Sequence, residues 1–264
     1  MKTRLLTLAA LALFSLSLSP AQAGKLEQIK KDGLRVCLEP AYMPFEMSDK
    51  KGQIIGFDPD LAALMAKELG AKLELVNTAW DDIIPALMAN KCNIIMSGMT
   101  ITEERSQKIN FSNTYVTIGQ TVLLRKQLAD KVKSYKDLND PKYKVVSKSG
   151  TTGEIAVKKY IPKATYISFQ TEQEGVMEVV NGKADAFVYD SPYNLVANVQ
   201  HGEGKLVFLD SPFTIEPLGW GVRKEDSELL NWLNNFLNKI KEDGTKFRLY
   251  RKWFKNTDWL KDVQ

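Results

Sequence analysis

Hydrophobic and polar positions fall into alternating blocks. Short apolar runs at Leu34–Leu38, Leu73–Val76 and Cys92–Met96 have the length of buried strands. Between the first two, Leu61, Leu64, Met65 and Leu69 recur at helical spacing. Asp58 is placed to cap that helix, with Pro59 in its first turn and Gly70 at its end. Asp81 or Asp82 opens a second helix that runs through Ala89. Strand, helix, strand, helix, strand predicts a parallel sheet, with its ligand crevice at the carboxyl ends of the strands.

The pattern then repeats. Strands are expected at Lys144–Ser147, Ala164–Phe169, Ala184–Tyr189 and Leu206–Leu209, and helices at Gly153–Tyr160, Glu172–Asn181 and Pro192–Val199. A last helix covers Glu228–Lys241, ends near Gly244 and precedes an aromatic tail, Phe247–Trp259. This predicts two α/β lobes, each a mainly parallel sheet flanked by helices. Residues 24–115 with 217–264 form the first lobe and 116–216 the second. The chain crosses out at Tyr115–Gly119 and back at Pro212–Leu218, and two crossings suit a hinge.

The N-terminus follows a different rule. Lys2 and Arg4 precede an apolar run, Leu5–Leu18, and then Ala21-Gln22-Ala23. That order is the layout of a secretory signal peptide over residues 1–23, with cleavage expected after Ala23. The run is 14 residues long, short of the roughly 18–20 that a spanning helix needs. Removal of residues 1–23 leaves 241, and loss of Lys2 and Arg4 takes the formal charge from +4 to +2. So small a charge, spread along the chain, makes no case for nucleic acid. The lysines between Lys126 and Lys148 are interrupted by acids and read as a solvated surface. Export permits a disulfide, but Cys37 and Cys92 lie near opposite ends of strands expected to run in parallel. The expectation is therefore two buried free thiols. His201 has no second histidine or cysteine near it, so no metal site is expected, and nothing calls for a cofactor.

The crevice has candidate chemistry on both sides. Ser97-Gly98-Met99-Thr100 lies just beyond the third strand, and Thr102 is placed to cap a short helix carrying Arg105, whose guanidinium can fork onto a carboxylate. In the second lobe, Ser149-Gly150-Thr151-Thr152-Gly153 follows a strand and opens a helix, where free N–H groups favour an anion. Asp190 ends a strand and can accept from an ammonium. Taken singly, each has a plainer reading: a surface salt bridge for Arg105, a turn for the glycines, a helix cap for Asp190.

At these residues the chain resembles the periplasmic amino-acid-binding proteins of ABC importers, the family of glutamine, arginine and lysine/arginine/ornithine binders. The resemblance is carried by Glu39-Pro40-Ala41-Tyr42-Met43-Pro44-Phe45, Gly56-Phe57-Asp58-Pro59-Asp60, Ser97 through Arg105, Gly150-Thr151-Thr152-Gly153 and Ala184 through Asp190. It spans roughly residues 25–255. It implies a type II periplasmic-binding-protein fold, a monomer, a periplasmic location and a membrane permease as partner. It also implies roles. Arg105 would clamp the ligand carboxylate with Thr100 and N–H groups near Thr152. Asp190 would hold the ammonium, with Ser97 and Gly98 nearby. Tyr42 and Trp80 would sandwich the side chain, and Glu39 would meet its far end. Pro59 replaces the usual Val or Ile, and Asn93 a frequent Asp.

An acid at position 39 favours an arginine-, lysine- or glutamine-type ligand and disfavours an acidic one, because burying unpaired carboxylates together is costly. Two other functions compete. A dehydratase on the same fold needs a general acid in the cleft, for which Glu39 is the one obvious spare acid, while Arg105 with Asp190 form an intact clamp for a zwitterion. A ligand-sensing subunit needs a signalling partner. The expectation is a binding protein and not an enzyme.

Overall fold

The structure is a computed structural model that describes residues 24–263, so the expected signal peptide lies outside the described residues. Helix α1 (Lys25–Asp32) leads through Gly33 into β1 (Leu34–Leu38). A small antiparallel sheet follows, formed by β2 (Ala41–Tyr42), β3 (Glu46–Ser48) and β4 (Ile54–Ile55). Next come α2 (Phe57–Leu69), β5 (Leu73–Asn77), α3 (Trp80–Met88), β6 (Ile94–Ile95), α4 (Glu103–Lys108) and β7 (Asn110–Phe111). Gly70 ends α2 in the left-handed region, as its position in the sequence predicts. Asp58 does not cap that helix. The helix starts two residues earlier, after Gly56, and the Asp58 carboxylate turns inward to accept the Gly98 N–H at 3.1 Å.

The second lobe begins after β8 (Val116–Ile118). It contains β9 (Gln120–Arg125), β10 (Lys144–Lys148), α5 (Thr152–Tyr160), β11 (Thr165–Phe169), α6 (Glu172–Val180), β12 (Ala186–Asp190), α7 (Ser191–His201) and β13 (Leu206–Leu209). The chain returns through β14 (Glu216–Leu218), and β15 (Gly221–Val222), α8 (Ser227–Glu242) and α9 (Thr245–Phe254) complete the first lobe. Among the described residues no helix is long and apolar enough to cross a membrane.

Each lobe is built on one five-stranded sheet. The first has the order β5-β1-β6-β15-β7 and the second β11-β10-β12-β9-β13. The leading three strands of each are parallel, with β1 between β5 and β6, and β10 between β11 and β12. The sequence pattern predicts these. Strand β13, expected at Leu206–Leu209, pairs antiparallel with β9; β9 in this sheet and β15 and β7 in the other are additions to the pattern. The two crossings, β8 and β14, pair antiparallel from Val116 opposite Leu218 to Ile118 opposite Glu216.

Helices α2, α8 and α9 bury apolar faces on one side of the first sheet, around an aromatic group in which Phe57 stacks on Tyr115 at 6.2 Å and Phe254 sits edge-on to both Phe45 and Phe57. On the other side α3 covers Cys37, Ile83, Leu87, Cys92 and Ile95. Here the structure corrects the expectation of free thiols: Cys37 and Cys92 form a disulfide, with Cα atoms 5.7 Å apart. The third strand is shorter than its apolar run. Only Ile94 and Ile95 pair, opposite Val36 and Cys37. Cys92 belongs to the turn that brings the chain from α3 back over β1, on the face where the Cys37 side chain lies, so strand register does not separate the sulfurs.

Candidate binding site

The parallel strands of both sheets end at the crevice between the lobes, and the loops there carry the polar groups. All nine residues singled out from the sequence, Glu39, Tyr42, Trp80, Ser97, Gly98, Thr100, Arg105, Thr152 and Asp190, line one cavity. Glu39 follows β1, Tyr42 lies in β2, and Trp80 is the first residue of α3. Thr102 caps α4 by accepting the Arg105 N–H at 3.2 Å, which fixes the turn that sends Arg105 into the cavity. Gly98 has φ +53, and a Cβ there would lie 2.2 Å from the Tyr42 ring, so only glycine lets the ring rest on this backbone.

The lobes meet directly across the cavity. Arg105 Nη1 donates to the Thr100 carbonyl at 3.0 Å, and Nη2 donates across the crevice to the Gly150 carbonyl at 3.4 Å. The guanidinium lies 5.0 Å from the centre of the Trp80 ring, whose indole N–H also donates to Gly150 O, at 3.0 Å. The hydroxyls of Thr100 and Thr152 are 3.5 Å apart. Tyr42 donates its hydroxyl to Asp190, and Gln120 donates its amide to the other Asp190 oxygen and, at 3.3 Å, to Thr152. Asp190 begins α7 without capping it, so its carboxylate faces the cavity. Burial pushes Asp190 up to about 7, against the pull of its Tyr42 and Gln120 donors and the Arg105 charge.

Sequence reasoning missed the group at the other end. Lys148, the last residue of β10, is 2 % exposed and is no part of a solvated surface. Its ammonium bonds Glu39 from the first lobe and both carboxylate oxygens of Glu172, at 3.1 Å each, from the start of α6. Tyr189 donates to Glu172 at 2.9 Å, and the Trp80 backbone N–H donates to Glu39 at 3.3 Å. Burial lowers the Lys148 pKa, but Glu172 and Glu39 outweigh it and the net direction is up; burial raises Glu172, with Lys148 opposing. A lysine ending a strand beside a Ser-Gly-Thr-Thr-Gly turn was the available signal. Gln120 opens an apolar strand with no motif around it, and Tyr189 lies within the Ala184–Asp190 motif but is passed over for its neighbour Asp190.

Residues 34–256 match the bacterial extracellular solute-binding proteins, family 3, and the chain belongs to this family. Its two-lobed architecture is the type II periplasmic-binding-protein fold. The chain is similar to a "putative binding component of ABC transporter from Wolinella succinogenes DSM 1740 complexed with lysine": 51 % identity, TM-score 0.84, covering 86 % of this chain and 98 % of that one. It is also similar to the ancestral amino-acid-binding protein AncCDT-1, a precursor of cyclohexadienyl dehydratase, at 51 % identity and TM-score 0.81 over 87 % of this chain and 99 % of that one. A "Probable histidine-binding protein" of Neisseria gonorrhoeae is 37 % identical over 227 residues, 83 % of this chain and 82 % of that protein.

Proposed function

We propose that this protein binds a free cationic L-amino acid between its lobes and delivers it to the membrane permease of an ABC importer. The observation that carries the reading is the charge of the cavity. Arg105 and Lys148 supply two positive charges; Glu39, Glu172 and Asp190 supply three negative ones. With Asp190 ionised by a ligand ammonium, the lining is one charge negative, and a buried excess charge is costly. An amino acid with a cationic side chain balances it. Its carboxylate goes to Arg105 and Thr100, its ammonium to Asp190 beside Ser97 and Gly98, and its side-chain cation to the end where Glu39 and Glu172 meet. Tyr42 and Trp80 flank the stem, and the N-terminus of α5 at Thr152 adds N–H donors for the carboxylate. Glutamine fits the same site without balancing the charge.

The relatives named as binders of lysine and histidine support this ligand class, and family membership supports an extracytoplasmic location, a signal peptide at residues 1–23 and a monomer that works by closing two lobes, residues 24–115 with 217–264 and residues 116–216, about β8 and β14. The protein is a carrier and not an enzyme in this reading: of the two buried acids in the cleft, Glu172 is held by Lys148 and Tyr189, and Asp190 is taken by the ligand ammonium. The test is calorimetry of the mature chain, unfolded and refolded to strip copurified ligand, against the standard amino acids. Arginine and lysine bind, and ligand at 100 times its Kd raises stability by about 2.7 kcal/mol. Binding of glutamate alone, or turnover of prephenate or arogenate, overturns the reading.

A further inference from the structure

Two carboxylates that the binding reading does not use lie beneath the first-lobe side of the crevice. Glu46 on β3 and Asp58 in the first turn of α2 are both fully buried. Their backbones are adjacent: the Asp58 N–H donates to Phe45 O at 3.0 Å and the Phe57 N–H to Pro44 O at 3.2 Å. Their side chains converge on consecutive residues. Glu46 Oε1 accepts the Ser97 hydroxyl at 2.5 Å; Asp58 Oδ2 accepts the Gly98 N–H at 3.1 Å and the Tyr115 hydroxyl at 3.0 Å. Ser97 Oγ in turn accepts the Glu39 N–H at 3.1 Å. One oxygen of each acid, Glu46 Oε2 and Asp58 Oδ1, is buried without a partner.

We propose that Glu46 and Asp58 share a single proton, carried by Glu46 and directed at Asp58, and that this pair positions Ser97 and Gly98 at the floor of the crevice. Two ionised carboxylates buried side by side would each lack compensation. Asp58 has two donors on Oδ2 and is the better seat for the charge; Glu46 has one and is the better seat for the proton. A proton on Glu46 Oε2 gives both orphaned oxygens a partner at once. Tyr42, Tyr115, Glu39 and Glu172 are the titratable groups that interact with the pair, and among the described residues the donors to the two acids are Ser97, Gly98 and Tyr115, none of them a cation. Burial pushes Asp58 up to about 7, and burial with the Asp58 charge pushes Glu46 up as well. The positioning half of the proposal rests on the binding reading; the shared proton does not.

A double-mutant cycle tests it, read by thermal unfolding without ligand and by L-arginine titration from pH 5 to 8. In Glu46→Gln the amide N–H replaces the shared proton and the carbonyl still accepts from Ser97. In Asp58→Asn the charge passes to Glu46. Each single variant keeps its Tm within a few degrees and its arginine Kd within about threefold. In the double variant Ser97 and Gly98 each claim an oxygen, two NH2 groups face each other, and Tm falls far below the sum of the singles. Arginine binding, measured where the double variant is folded, weakens at least about thirtyfold. An additive cycle, or a Glu46→Gln loss as large as the double, overturns the shared proton. Should the double variant not fold, Glu46→Gln decides: from pH 5 to 7 its folding constant falls about tenfold less per pH unit than that of the parent, one proton's worth, and equal slopes overturn the proposal. A strong cycle with unchanged arginine affinity overturns the positioning half alone. No arginine binding by the parent overturns the binding reading and leaves the unfolding data to decide the proton.

Discussion

Buried acids beside the crevice are handled differently in the two lobes. In the first, Glu46 and Asp58 lie in the core with hydroxyl and amide donors but no cation among the described residues. In the second, Glu172 is equally buried and has Lys148 at 3.1 Å. The five-stranded sheets of the two lobes share the order of their three parallel strands, so strand order does not dictate the difference. What differs is the task. The first-lobe acids hold a loop in place from beneath, where a cation would add a further desolvation cost. The second-lobe pair faces the cavity and sets its charge. A buried ion pair is weak evidence for stability, but breaking one is expensive.

That contrast can be broken most severely at Lys148. Lys148→Met leaves Glu172 and Glu39 without their cation and is expected to cost about 3–5 kcal/mol in a denaturant titration; adding Glu172→Leu recovers much of that loss. No change on Lys148→Met would place the second lobe's acids in the same class as the first's. The next effect belongs to the first lobe alone. The Cys37–Cys92 disulfide closes a 55-residue separation, and its loss in Cys37→Ala/Cys92→Ala is expected to cost about 2–4 kcal/mol, with unfolding of the first lobe followed by its tryptophans.

The gentlest way to separate the lobes is pH. Asp58 and Asp190 rise from an ordinary value of 3.8 to about 7 through burial. Between these values the folded chain holds protons that the unfolded chain has lost, one on Asp190 and one on the Glu46–Asp58 pair, so stability is highest at the acid end of this window and falls as pH rises to 7. The slope is up to about 1.4 kcal/mol per pH unit for each group. A ligand ammonium at Asp190 favours its ionised form. Arginine should therefore flatten the second lobe's share, release a proton on binding and bind more tightly as pH approaches 7. The Asp58 share should remain. Equal slopes with and without ligand would remove Asp190 from the ligand's reach.

The parallel cores of both lobes are legible because strands buried on both faces read as continuous apolar runs. Leu34–Leu38 is a strand over those very residues. Two-residue strands such as β7 and β15 have no period to detect, and their pairing comes from tertiary contact. Asp58 shows a local rule losing to a distant one: the residue suits a helix cap, yet the Gly98 N–H and the Tyr115 hydroxyl claim its carboxylate. Lys148 shows the reverse problem, since nothing local marks a lysine as buried; only Glu39 and Glu172, more than twenty residues away on either side, do so. The cysteines failed on strand length, because an apolar run of five residues supplies a strand of two.

Strand β15 lies inside the first sheet, between β6 and β7, although its residues follow the entire second lobe in sequence. A chain emerging in order from a ribosome or a membrane pore therefore completes its second lobe while the first still has an open seam. Until Gly221 and Val222 arrive, β6 and β7 present bare edges where strand meets strand, the kind of surface that pairs with the wrong partner. The keystone of the first lobe is thus made late, and the order of synthesis obliges the nascent protein to stay unfinished, and in need of shelter, until nearly all of it has been made.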